Sequence, residues 1–151
     1  MREYLRLIAL DEEDLAIISA NLQDAVIRIG DMAYLPRGKR FALVAVRFDW
    51  VCAAAGRNER CQTGLHFERV LKVARAGFDQ AAAAAYLNLL SIVFVPNDPP
   101  AGQVVLTFSG GAALRLDVEC LEVQMRDLGP RWKVSAQPGH PLDDGLKQQM
   151  D

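Results

Sequence analysis

Hydrophobic and polar positions alternate most regularly in the last third of the chain. Val104, Leu106 and Phe108 interleave with Val105, Thr107 and Ser109, and beyond Gly110-Gly111 the residues Leu114, Leu116 and Val118 interleave with Arg115, Asp117 and Glu119. A period of two on both sides of a glycine pair predicts an antiparallel hairpin. Leu121, Met125 and Leu128 then recur at i, i+4 and i+7 ahead of Gly129-Pro130, a spacing that predicts a C-terminal amphipathic helix with a Gly-Pro stop.

Earlier segments follow similar rules. Residues 4–10 alternate as a short strand, and Asp11-Glu12-Glu13-Asp14 supplies an N-cap with acids in the first turn of a helix over 11–24, whose stripe is Leu15, Ile18 and Leu22. Strands are expected over 26–35 and 40–51, joined at Pro36-Arg37-Gly38-Lys39. In the second of these Ala42, Val44, Val46, Phe48 and Trp50 form an unbroken apolar face, which predicts the core side; the opposite face passes into Arg47 and Asp49. A loop is expected over 53–64 and a strand over 65–78. Arg69 shares parity with Leu65, Phe67, Leu71 and Val73 there, so a β-bulge or an inward guanidinium is expected. An alanine run at 80–85, a buried strand over 86–95 and a three-proline loop over 96–102 complete the pass.

Hairpin-length connections predict an antiparallel α+β domain: a curled sheet or partly open barrel of about seven strands with an N-terminal and a C-terminal helix. The plan is pleckstrin-homology-like by analogy, apart from the early helix. A single domain over 1–136 and a loose, flexible tail over 137–151 are expected. Of the 151 residues, 51% are hydrophobic and 24% charged, the balance of a globular chain. A net charge of −2 gives no global attraction to nucleic acid or anionic membrane. No apolar run reaches membrane-spanning length, and the first segment is broken by four acids before it can serve as a signal peptide. Cys52, Cys61 and Cys120 show no metal-ligand spacing, so no cofactor or metal is expected and a reducing cytoplasm is the simplest home.

The segments Leu5-Arg-Leu-Ile-Ala-Leu-Asp-Glu-Glu-Asp-Leu15, Leu22-Gln-Asp-Ala25, Arg47-Phe-Asp-Trp50, Leu65-His-Phe-Glu-Arg-Val70 and Leu116-Asp-Val-Glu-Cys-Leu-Glu122 together resemble a bacterial family, domain-of-unknown-function family 2948. The resemblance runs from about residue 4 to about residue 133. It implies a small bacterial cytoplasmic protein and brings with it no activity, ligand or site.

Candidate chemistry gathers in the middle of the chain. His66 and Glu68 project from one strand face and would suit acid–base work if the nearby Cys61 stood opposite; a solvated pair is the simpler reading. Arg47, Asp49 and Arg69 lie on strands expected to be neighbours. Either Arg69 pairs with Asp49 across the strands, with Arg47 at the rim, or the two arginines line a mouth that binds a carboxylate or phosphate. Residues 37–75 carry nine basic against three acidic side chains, but without interleaved aromatics the pattern disfavours nucleic acid. No catalytic set is assembled, so the expected function is a non-catalytic binding or scaffolding module that engages a protein partner or self-associates. The alternative is a small-molecule or anion site, possibly that of an enzyme, formed by Arg47, Asp49 and Arg69, with His66 and Glu68 outside them.

Overall fold

The computed structural model describes residues 4–135 and 137–138. Among these the order is β1 (Arg6–Ala9), α1 (Glu12–Asn21), β2 (Val26–Leu35), β3 (Arg40–Phe48), α2 (Trp50–Ala54), β4 (Glu59–Phe67), β5 (Val70–Ala76), β6 (Tyr86–Pro96), β7 (Gly102–Phe108), β8 (Ala113–Val118) and β9 (Val123–Lys133). The nine strands, two more than the seven or so expected, form one antiparallel sheet in the order β1-β9-β4-β3-β2-β6-β7-β8-β5, which does not close into a barrel. One apolar cluster joins both halves, from Phe41, Leu65, Phe67 and Met125 to Leu89, Leu106, Phe108 and Leu116. Burying a side chain of this size contributes about 2 kcal/mol. No helix among the described residues is long and apolar enough to cross a membrane.

Local pattern settles several elements. Asp11 caps α1 by accepting from the Asp14 amide at 2.8 Å, and Leu15, Ile18 and Leu22 are buried as the stripe requires. The β7–β8 hairpin turns at Gly110 and Gly111, both at positive φ, and buries Val104, Leu106, Phe108, Leu114, Leu116 and Val118. In β6 a register shift between Leu89 and Ser91 reverses the parity. Leu87 and Leu89 point inward before it and Ile92 after it, while Val93 and Val95 are exposed. This irregularity accounts for a segment that is apolar on both faces.

Four expectations are corrected. The helix expected on the Leu121, Met125, Leu128 stripe does not form: residues 123–133 are β9, with Leu121, Val123 and Met125 buried at period two. Both periods coexist in this segment, and pairing with β1 and β4 selects the strand. The loop expected over 53–64 is instead the end of α2, a short connection and most of β4. In β3 the core side is the Phe41, Leu43, Ala45 face, which continues into a buried Arg47; Ala42, Val44 and Val46 are only half-buried. Finally, the strand over 65–78 breaks at Arg69, whose φ is 60°. The chain turns there from its pairing with β3 and β9 to pairing with β8. Residues 139–151, most of the expected tail, lie outside the described residues.

At the start of β7, a Cβ on Gly102 would lie 2.5 Å from the Val95 carbonyl oxygen and 2.6 Å from the Phe94 ring. Gly102→Ala is therefore expected to destabilise the fold by about 2 kcal/mol, lowering the urea midpoint by about 1 M in equilibrium unfolding followed by circular dichroism.

Candidate functional site

Beyond Ala45 the inner face of the sheet turns from apolar to ionic. Arg47 is only 2% exposed and makes two parallel bonds to Asp127: Nε to Oδ1 at 2.8 Å and Nη2 to Oδ2 at 2.7 Å. The same carboxylate accepts from Thr63 Oγ1 at 2.8 Å, the Leu5 amide at 2.9 Å and Arg131 Nη2 at 3.1 Å. Arg131 Nη1 donates to Asp49 Oδ2, and Asp49 Oδ1 accepts from the Cys52 amide at 3.0 Å as the N-cap of α2. Two guanidinium groups and two carboxylates thus balance, with bidentate geometry at the most buried pair.

A bulge builds this arrangement. Cys61 faces Arg131 and Thr63 faces Asp127, so four residues of β9 advance against two of β4. Four residues of a regular strand span about 13 Å. The excess, around Gly129-Pro130, folds the strand back far enough for Asp127 and Arg131 to touch. Gly129 has a φ of 65°, and Tyr4 packs where its Cβ would be; only glycine combines that angle with that contact at little cost.

The ionic cluster floors a cleft of about 750 Å³, to which Arg47, Asp49, Arg131, Cys52, Arg57 and Glu59 contribute. Burial pushes the Asp127 carboxyl up, but Arg47, the Leu5 amide and Thr63 outweigh it and hold the group at about 2. Burial likewise opposes ionisation of Asp49, yet the Cys52 amide, Arg131 and Arg47 hold it below the usual carboxylate range. Both arginines stay charged, because their carboxylate partners outweigh the burial cost. Burial pushes both the Cys52 and Cys61 thiols up, with Asp49 adding to the effect at Cys52. Neither is poised as a thiolate nucleophile.

Of the expected site residues, Arg47 and Asp49 come together here and the others do not. Arg69 neither pairs with Asp49 nor reaches the cleft: it is exposed at the β4–β5 corner, with Glu122 Oε1 at 3.9 Å. Arg131 takes the place expected of it, and Arg47 is buried rather than at the rim. His66 Nδ1 and Glu68 Oε1 lie 2.9 Å apart with Arg40 Nε 2.7 Å from the same oxygen, a half-exposed trio. His66 alternates with the buried Cys61, Thr63 and Leu65 on β4 and so faces away from Cys61. All three cysteines are free, and no group of three or more potential metal ligands occurs among the described residues. Sequence reasoning missed Asp127, Arg131 and Thr63. The available signal was the Asp-x-Gly-Pro-Arg run, once read as a bulged strand.

Arg47→Met removes the bidentate partner of a buried carboxylate, leaving two carboxylates against one guanidinium, and is expected to cost about 3 kcal/mol; Arg47→Met with Asp127→Leu should recover a large part of this, a difference measurable by urea unfolding. Asp127 titrates near 3.8 when unfolded and at about 2 when folded. Its contribution of about 2 kcal/mol is therefore complete above pH 4 and lost as pH falls from about 4 to about 2. Thermal unfolding across that window should show a steeper acid loss for the wild type than for Asp127→Asn.

No curated protein and no solved structure matches the chain in sequence or fold comparison. A family model does match, over residues 5–140, an interval that holds every member of the ionic cluster. The chain belongs to the family described as "Protein of unknown function (DUF2948)".

Proposed function

We propose that this protein is a non-catalytic, cytoplasmic binding module whose ligand is a small polar molecule seated in the cleft above Arg47, Asp49 and Arg131. The observation that carries the reading is the convergence of a buried, charge-balanced cluster on the floor of a cleft of about 750 Å³. That volume suits a small-molecule site, and fixed polar groups on such a floor supply orientation. Held by bidentate contacts, the floor loses little further entropy when a ligand arrives. The raised thiols and the outward-facing His66 favour binding over nucleophilic chemistry, and the free cysteines fit a reducing compartment.

Native mass spectrometry of protein purified gently from its host tests the proposal. A discrete added mass is expected on the wild type and is expected to be lost in Val51→Trp, because Val51 lines the cleft and is 73% exposed, so the larger ring obstructs the cleft without touching the ionic floor. An unliganded wild type that also shows no saturable amide shifts in the cleft against a fragment library would overturn the reading.

A further inference from the structure

The outer face of the same bulged strand carries a second, independent feature. Arg6 on β1 stands directly opposite Arg126 on β9. The neighbouring pair, Leu5 with Asp127, is hydrogen-bonded through the Asp127 amide and the Leu5 carbonyl at 2.9 Å. Arg6 and Arg126 therefore form a non-hydrogen-bonded pair, the kind whose Cα atoms approach to about 4.5 Å. Like charges in that position destabilise a sheet, yet the strand presents two of them side by side.

Among the described residues nothing nearby compensates. Both arginines are exposed, and neither forms an ion pair among the described residues. Across the sheet the row continues through Gly64 to Val44, and the adjacent row is Ile8, Gln124, His66 and Ala42. None of these is acidic. The Asp127 side chain is fully buried against Arg47, and Glu68 is held by Arg40 and His66. Beside the pair lies a depression of about 520 Å³, lined by Tyr4, Arg6, Arg126, Asp127 and Leu128.

We propose that Arg6 and Arg126 together bind the phosphate group of a small-molecule ligand in this depression. Two planar guanidinium forks on adjacent strands can each donate two bonds to a tetrahedral oxyanion. The bound dianion turns their mutual repulsion into a shared attraction. The depression shares Tyr4 and Arg6 with the cleft, but Arg126 lines only the depression, so the phosphate site is tested apart from the cleft through Arg126.

Inorganic phosphate is the probe. At about ten times its dissociation constant, phosphate is expected to raise the wild-type unfolding midpoint by about 3 °C over chloride of equal ionic strength. The gain should vanish in Arg126→Gln and in Arg6→Gln, and persist in Arg115→Gln, whose arginine is exposed beside Asp117, and in Val51→Trp. In chloride alone, Arg126→Gln should unfold at or above the wild-type temperature, because the repulsion is relieved. Amide shifts on phosphate addition should centre on residues 6, 126 and 128. An equal phosphate response in wild type and Arg126→Gln, or an equal gain in acetate, would overturn the proposal.

Discussion

The bond between Arg47 and Asp127 is the constraint around which this end of the molecule is organised. Arg47 belongs to β3, Asp127 to β9, and the same carboxylate accepts from β4 through Thr63 and from the residue preceding β1 through the Leu5 amide. Four neighbouring segments of the sheet are thereby held at one carboxylate. A buried ion pair is a poor source of net stability, since desolvation offsets most of the attraction, but a misregistered sheet would leave the same charges buried and unpaired. The pair therefore penalises wrong registers more than it rewards the right one.

That constraint also explains why β9 is bulged. Arg131 reaches both Asp127 and Asp49 because the residues around Gly129-Pro130 take up extra length on one strand. Asp49 in turn caps α2, so the short helix forming part of the cleft wall is tied to the ionic floor. Cleft, helix and sheet end share one set of charges. The strand that presents Asp127 and Arg131 inward places Arg126 outward opposite Arg6, and a single segment thus carries both the floor of the cleft and the cationic pair on the opposite face.

Much of the fold is legible along the chain. The Asp11 cap, the Leu15, Ile18, Leu22 stripe, the β2–β3 hairpin and the Gly110-Gly111 turn follow from residues close in sequence, where pattern and turn chemistry suffice. The candidate site was legible only in part. Arg47 and Asp49 stand out as charges at the end of an apolar strand, but their partners lie 80 and 82 residues away, and Arg69 was the nearer candidate in sequence.

By itself, then, the sequence determined an antiparallel α+β chain with its local turns, its first helix and one half of an ionic site, because each depends on contacts between near neighbours. Tertiary structure alone decided that residues 123–133 are a strand, that the Arg47 face of β3 is the buried one, and that Arg131 rather than Arg69 completes the cluster. In each case two local solutions satisfied the same pattern, and the choice came from pairing with distant segments that offered backbone hydrogen bonds, burial and a counter-charge together.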